Sequence, residues 1–192
     1  MLENIISQIT DSASTIKTLD TVAVKDAAVM LANCLKNGNK ILLCGNGGSA
    51  ADCQHFAAEM VIRFRAAVNR PALPVIALTC DTSILTAGGN DIGFDNIFAR
   101  QVSALGNKND ILIGISTSGT SKNVINAIDI AKEKEMKVIG LLGKDGGSIL
   151  NMCDAAVVIN HNLTARIQEA HILVEHIWCD LIERQLFAEQ FI

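Results

Sequence analysis

The segment DILIGISTSGTS, residues 110–121, decides the fold of this chain. It begins with a continuous aliphatic run and ends in five hydroxyl residues around one glycine. A continuous apolar run without polar alternation is typical of a strand that is covered on both faces of a parallel sheet. The hydroxyl-rich part is followed directly by KNVINAIDIAK, which has helical spacing. The segment therefore predicts a strand, a polar loop and a helix, in that order.

Four other short aliphatic runs flank this segment along the chain, and helical patterns separate most of them. The predicted strands are 40–44, 74–79, 110–116, 137–143 and 155–160. The predicted central helices are 49–65, 95–105 and 121–135. This alternation predicts an α/β domain with a five-stranded parallel sheet.

Further helices are predicted on either side of this core, at 3–17, 21–36 and 164–187. The sequence contains no linker, repeat or low-complexity tract, so we predict one domain over residues 1–192. Its parts are N-terminal helices at 1–37, an α/β core at 40–160 and a C-terminal helix at 164–187. The terminal helices are rich in Ile, Leu and Ala, and we expect them to pack against neighbouring copies of the chain.

The composition argues against several classes of partner. The 192 residues include 16 Lys and Arg against 20 Asp and Glu, which gives a net charge of −4, and only 4% are aromatic. Nucleic acid and anionic membranes are therefore not expected partners, because both need basic patches and single strands also need exposed rings. An anionic ligand would have to be held by local features of the site.

Cysteine usage and the N-terminus predict a reduced, cytoplasmic protein. No two of the six cysteines form a C-x-x-C pair, which argues against a zinc ribbon or a thioredoxin motif. We expect no signal peptide, because the first residues lack a basic region and a cleavage site. No apolar run approaches the roughly 20 residues that span a membrane.

The first glycine-rich loop, GNGGSA at 45–50, lies between a predicted strand and a helix. It satisfies the pattern G-x-G-x-x-A of dinucleotide-binding folds, but Asp81 lies too far along the chain for the acidic residue of that motif. Glycines also let a backbone approach a ligand, and we expect Ser49 to cap a helix whose N–H groups favour polar oxygens. A tight turn that binds nothing is the alternative.

The hydroxyl loop at 116–121 predicts a phosphate site. Hydroxyl donors and unpaired N–H groups at a helix N-terminus can surround a phosphate without any lysine. The alternative is a structural turn, but a turn of that kind needs only one or two hydroxyls.

Two helices carry residues that suit metal binding or acid–base chemistry. His55 and Glu59 are four residues apart and share one face of a helix, which suits a divalent metal and equally a surface ion pair. On the last predicted helix Gln168, His171 and Glu175 share a stripe, whereas His176 lies about 80° further round. Periodicity alone therefore favours His171 over His176 as the partner of Gln168.

The segment STSGTS after a buried strand resembles the sugar isomerase (SIS) domain family. The segments CGNGGSAADCQHFAAE and TARIQEAHILVEH are similar to the phosphoheptose isomerases within that family, and the resemblance covers essentially the whole chain. It implies a three-layer SIS-type sandwich and a homotetramer with its sites between subunits. The reaction implied is the conversion of sedoheptulose 7-phosphate to D-glycero-D-manno-heptose 7-phosphate through an enediol, for ADP-heptose and lipopolysaccharide core biosynthesis.

The resemblance also implies site residues, although Ile62 and the stretch 66–69 depart from the pattern of many relatives. One zinc ion per subunit would be held by His55, Glu59, Gln168 and His176, with Glu59 as base and His176 as its acid–base partner. His171 then becomes a buried or supporting histidine. The implied substrate-binding residues are Asn46, Gly47, Gly48, Ser49, Glu59, Asn90, Asp91, Ser116, Thr117, Ser118, Ser121 and Gln168.

Two other functions share this pattern. A relative of the family is an adaptor that binds the bacterial replication initiator protein and lacks the catalytic histidine. This chain keeps His176, but Leu186 and Phe187 resemble the end of the adaptor that meets its partner. A sugar-phosphate-sensing SIS module is usually joined to a DNA-binding domain, which we do not expect here.

Overall fold

The computed structural model describes residues 1–191, so residue 192 of the predicted domain lies outside the described residues. The strands are β1 (Ile41–Cys44), β2 (Val75–Ala77), β3 (Ile111–Ser116), β4 (Lys137–Gly143) and β5 (Ala155–Ile159). The helices are α1 (Leu2–Lys17), α2 (Thr21–Lys36), α3 (Gly48–Val61), α4 (Thr82–Asp91), α5 (Ile97–Leu105), α6 (Lys122–Glu133), α7 (Gly147–Leu150) and α8 (Thr164–Leu186). Short 3-10 turns lie at Phe94–Asn96 and Ala188–Phe191.

All five strands form one parallel sheet in the order β2-β1-β3-β4-β5. β1 and β3 are neighbours, with Leu43 opposite Ile113 and Cys44 opposite Gly114. The predicted parallel sheet is therefore confirmed, with each strand within two residues of its predicted ends. β3 is buried along its whole length, as the continuous aliphatic run indicated.

Helices cover both faces of the sheet and give the predicted three layers. On one face, alternate strand residues such as Leu43 and Ile113 pack with α2, α3 and α8, where Phe56 and Trp178 are fully buried. On the other face, their neighbours such as Leu112 pack with α5 and α6. Side chains alternate between the faces of a strand, so every strand residue in the centre of the sheet is buried.

Three details of the predicted elements are wrong. The helix predicted at 49–65 ends at Val61, and α4 and α7 were not predicted. Ser49 does not cap α3: the N-cap is Gly47, whose positive φ of 57° turns the chain two residues earlier and leaves Ser49 buried in the first turn.

Helix α1 packs against α8 but keeps much apolar surface exposed. Leu2, Ile5, Ile6 and Ile9 are each at least half exposed. Such a face suits a contact with another copy of the chain, and oligomerisation stays a prediction. No helix within residues 1–191 is long and apolar enough to cross a membrane.

Candidate functional site

The two loops singled out in the sequence leave neighbouring strands at one edge of the sheet. Residues 45–47 follow β1 and residues 117–121 follow β3, and these strands are adjacent. β2 pairs with one side of β1 and β3 pairs with its other side, so the order of the strands reverses at β1. Ligands of open α/β sheets bind at the carboxyl ends of the strands where the order reverses in this way.

A reciprocal pair of side-chain amides joins the first loop to α6. Asn46 Nδ2 donates to Asn123 Oδ1 at 2.9 Å, and Asn123 Nδ2 donates to Asn46 Oδ1 at 2.8 Å. Asn123 is buried, and it was not singled out in the sequence because its partner lies 77 residues away. Because the Asn46 amide is engaged in this way, Asn46 would meet a ligand chiefly through its backbone.

The hydroxyls of the second loop converge as predicted for an anion site. Ser116 Oγ lies 2.9 Å from Ser121 Oγ and 3.4 Å from Ser118 Oγ. The Ser121 hydroxyl makes no capping bond to α6, whose first N–H groups have no partner within the helix. Rotatable hydroxyls and these N–H groups can donate together to a phosphate placed over the loop.

Glycines hold this loop against the loop that follows β4. Gly119 has φ of 67°, and a Cβ on it would overlap the Gly146 carbonyl. A Cβ on Gly147 would in turn overlap the Gly119 carbonyl, and Ile149 N donates to that same carbonyl at 3.0 Å. The bare backbones of two loops therefore fix the shape of the hydroxyl cluster.

The predicted acid–base residues of α3 and α8 face each other. His55 Nε2 lies 2.8 Å from His176 Nε2, and the rings meet edge to face. Glu59 Oε1 lies 3.8 Å from His55 Nε2, and the carboxylate is about a quarter exposed. Phe64, from the segment after α3, lies 5.8 Å from the His176 ring between centroids. The site thus offers two imidazoles and a carboxylate that solvent can reach.

Gln168 contacts a different part of α3. A Cβ on Gly48 would overlap the Gln168 amide, so this side chain lies against the bare backbone at the N-terminus of α3. Eight residues of helix, about 12 Å, separate Gln168 from His176. One chain therefore brings together His55, Glu59 and His176, and it places Gln168 beside the glycine loop.

Asp52, His171 and Glu175 lie on the same two helices as His55 and His176 and have shifted pKa values. Burial raises the pKa of Glu175 to about 9, with a further contribution from the charge of Asp52, and neither Glu175 oxygen has a hydrogen-bond partner. Burial also raises the pKa of Asp52 to about 6, and the charge of His55 opposes this shift. Burial lowers the pKa of His171 to about 4, so this enclosed ring is neutral at pH 7. His171 therefore belongs to the interior, whereas His176 is only half-buried.

The remaining predicted residues occupy varied positions. Asn90 and Asp91 end α4, are exposed and bond to each other at 2.7 Å. Thr117 is half-buried between Ser116 and Ser118. Gly47 and Gly48 are exposed beside Asn46, where a ligand can approach the backbone.

The donors near the two imidazoles fit zinc in their chemistry. Imidazole nitrogen and carboxylate oxygen are common zinc ligands, and the two Nε2 atoms already point at one place. Within the described chain no three His, Cys, Asp or Glu side chains form a ready metal site. Glu59 would have to turn towards the imidazoles, and the metal remains a prediction.

Comparison with known proteins agrees with this geometry. The SIS domain family matches residues 5–143. A phosphoheptose isomerase from Geotalea daltonii is 51% identical over 99% of this chain and 100% of its own length. The chain belongs to the phosphoheptose isomerases of the SIS domain family.

Solved structures of this family have the same fold. The phosphoheptose isomerase from Neisseria gonorrhoeae superposes with a TM-score of 0.88 at 46% identity, covering 95% of this chain and 98% of its own. The enzyme from Francisella tularensis gives a TM-score of 0.89 at 43% identity, with the same coverage. This SIS-domain isomerase therefore keeps the family fold over nearly its whole length.

Proposed function

We propose that this isomerase interconverts sedoheptulose 7-phosphate and D-glycero-D-manno-heptose 7-phosphate, for ADP-heptose and lipopolysaccharide core biosynthesis in the cytoplasm. The observation that carries the proposal is the contact of His55 Nε2 with His176 Nε2 at 2.8 Å beside Glu59, in a chain of this family. An aldose–ketose isomerisation needs a base for a carbon-bound proton and a second group for the protons on oxygen.

The phosphate of the substrate would be bound by the hydroxyl cluster. Ser116, Thr117, Ser118 and Ser121 supply donors, and the N-terminus of α6 adds its positive end. This local potential accounts for how a chain of net charge −4 can bind a phosphorylated sugar. Backbone groups at Gly47 and Gly48 would approach the sugar hydroxyls.

Proton transfer would proceed between two carbons of the open-chain sugar. The Glu59 carboxylate takes a proton from C1 of the ketose, the C1–H electron pair forms the C1–C2 double bond, and His176 donates a proton to the C2 oxygen. The enediol then receives the Glu59 proton at C2 and loses its O1 proton to His176, which leaves an aldehyde at C1. Both residues end the cycle in their starting protonation states.

Zinc held by His55, Glu59, Gln168 and His176 would polarise the carbonyl and make the adjacent C–H more acidic. A carboxylate that binds zinc fully is a weak base, so Glu59 would have to leave the metal during turnover. A zinc-bound ring nitrogen carries no proton, so His176 would exchange protons through its other nitrogen or after leaving the metal. Gln168 would reach the metal of a neighbouring copy, because within one chain it lies about 12 Å of helix from His176. Such a site would need at least two copies of the chain, and the proposal includes a homotetramer with one zinc per subunit.

The test is an assay of the purified protein on sedoheptulose 7-phosphate, combined with metal analysis before and after chelation. We expect aldose formation, loss of activity with loss of zinc, and recovery when zinc is restored. Absence of aldose with zinc bound would overturn the proposal. Activity that survives complete removal of zinc would overturn the role of the metal alone.

The described residues, 1–191, give the adaptor function no specific support. Leu186 and Phe187 are partly buried against the core cluster that contains Trp178, rather than fully presented to a partner. His176, which the adaptor lacks, meets His55.

A further inference from the structure

A buried ion pair joins the segment after α3 to the last turns of α8. Arg70 Nε donates to Glu183 Oε1 at 2.8 Å, and both side chains are 0% exposed. Arg70 lies between α3 and β2, and Glu183 lies seven residues beyond His176 on α8. The pair therefore connects the two helices that carry His55, Glu59 and His176.

The other nitrogens of Arg70 bind the end of α3 itself. Nη2 donates to the Glu59 carbonyl at 2.8 Å, and Nη1 donates to the Met60 carbonyl at 2.8 Å. Carbonyls in the last turn of a helix have no donor within the helix, so Arg70 supplies one to the Glu59 carbonyl, while the Met60 carbonyl also accepts from Leu73 N at 3.2 Å. The guanidinium thus binds the backbone of Glu59, the proposed base.

The same carboxylate oxygen of Glu183 also fixes the chain next to His176. Phe64 N donates to Glu183 Oε1 at 3.2 Å, and the Phe64 ring lies against the His176 ring. One buried oxygen therefore holds both Arg70 and the backbone of Phe64.

The two helices pack side by side, and their contacts follow one register. Gly48 lies against Gln168, and about two turns further on His55 lies against His176. The end of α3 is then joined to Glu183 through Arg70. A slip of one residue along a helix moves a side chain by about 1.5 Å. Reacting groups lose much of their effect when misplaced by about 1 Å, so this register matters for the chemistry.

Stability alone does not call for a charged pair at this place. Among residues 1–191, Glu183 Oε2 has no hydrogen-bond partner. Apolar residues of similar volume often replace a buried ion pair with no loss of stability, because removing two charges from water costs as much as their attraction returns. The hydrogen bonds of an ion pair depend on direction, so they fix the position of one segment relative to another more closely than apolar packing does.

We propose that Arg70 and Glu183 are positioning residues, which set the register of α3 against α8 and so the placement of Glu59 and His55 relative to His176. This inference rests on the proposed function for its role in turnover. The placement of Glu59 and His55 relative to His176 involves only residues of this chain and does not depend on the identity of the substrate.

The test compares two paired variants that differ in which ion pair they remove. Arg70→Met with Glu183→Leu replaces the buried pair by apolar volume. Arg65→Met with Asp180→Asn is the matched control, since Arg65 Nε and Asp180 Oδ1 join the same segment to the same helix at 2.8 Å in a more exposed position. Each is measured for thermal unfolding, kcat, KM and zinc affinity by competition with a chelator.

We expect the Arg70→Met/Glu183→Leu protein to unfold within a few degrees of the wild-type temperature, because removing two buried charges offsets the loss of their bonds to the Glu59 carbonyl and the Phe64 N–H. Its kcat should fall about 10- to 100-fold and its zinc affinity about 10-fold, with KM nearly unchanged because the phosphate cradle is untouched. The control should keep wild-type values. Equal kcat and zinc affinity in the two paired variants would overturn the inference.

A second variant covers failure of the apolar pair to fold. Glu183→Gln keeps an acceptor for Phe64 N and the side-chain volume, but removes the charge that orients Arg70. A drop in kcat and zinc affinity without a matching drop in stability supports the inference, and unchanged values overturn it. Wild-type protein that binds zinc but is inactive on sedoheptulose 7-phosphate would contradict the proposed function alone, and the zinc measurement would still decide the role of the pair.

Discussion

His55 Nε2 and His176 Nε2 lie 2.8 Å apart, although 121 residues of chain separate them. At this distance one ring must donate a proton and the other must accept it. The contact exists because α3 and α8 pack side by side on one face of the sheet, through residues such as Phe56 and Trp178. The fold therefore brings two titratable rings to the same place as Glu59.

Replacing His176 by Asn should lower kcat by about 100-fold or more, because the group that moves protons on the sugar oxygens is removed. Replacing His171 by Leu should leave kcat within a few-fold of the wild type, since this ring is fully enclosed and neutral. Steady-state kinetics and thermal unfolding of both variants check this. A large loss of kcat in His171→Leu, with little loss in His176→Asn, would show that the helical stripe chosen by periodicity is the functional one.

The phosphate cradle should govern binding of the substrate more than turnover. Ser121→Ala removes the hydroxyl that lies 2.9 Å from Ser116 Oγ, and we expect KM to rise about 10-fold with a smaller change in kcat. Ser103→Ala, on the end of α5, is the control and should change neither constant. A Ser121→Ala enzyme with wild-type KM would contradict the assignment of this loop.

The role of the hydrogen-bonded amides of Asn46 and Asn123 can be tested by removing the side chain at position 123 or by giving it a charge. Asn123→Ala removes both hydrogen bonds to the Asn46 side chain and should lower kcat/KM about 10-fold. Asn123→Asp should be worse, because a carboxylate cannot donate to Asn46 Oδ1 and adds negative charge near the phosphate. Kinetics of the two variants with the same substrate check the order, and the opposite order would refute this role of Asn123.

Asp110 supplies a prediction about stability far from the site. Burial raises its pKa, but bonds from Lys40 and from the Asn107 N–H outweigh that effect and leave the pKa below its ordinary value. Because the folded-state pKa is lowered, the contribution of Asp110 is present at neutral pH and is lost as pH falls through that lowered pKa. Asp110→Asn should cost about 1–3 kcal/mol at pH 7.

Urea unfolding at pH 7 and at about pH 3 measures this difference. The gap between wild type and Asp110→Asn should shrink at the lower pH, because the unfolded-state carboxylate, with its ordinary pKa of 3.8, binds a proton there before the folded-state carboxylate does. A gap that is independent of pH would mean that lost packing, rather than lost charge, causes the destabilisation.

Much of the fold could be predicted from the sequence because the strands are continuous aliphatic runs. Helix α4 could not: its sequence TSILTAGGND contains two glycines, and no residue of it is buried, so neither propensity nor an apolar face marks it. Ser49 is a strong capping residue by type, but the positive φ of Gly47 starts the helix earlier. The capping preference of Ser49 therefore gave the wrong helix start, because Gly47 adopts a backbone conformation that begins the helix before it.

The site could be predicted in part. Residue type and spacing identified the hydroxyl loop, but they left His55 and Glu59 undecided between a metal site and a surface ion pair. Resemblance, rather than periodicity, chose His176. The contacts of Asn123 and Arg70 could not be foreseen, since each joins elements far apart in the chain and leaves no local pattern.

The most direct test of the account is turnover of sedoheptulose 7-phosphate by Glu59→Gln, beside the wild-type protein at matched zinc content. Gln keeps the volume of the side chain and can still bind a metal through its oxygen, but it cannot take a proton from carbon. We expect the variant to fold with wild-type stability and to lose activity by about 10²–10⁴-fold or more. Near-normal turnover by Glu59→Gln would contradict the account, because a different group would then be the base.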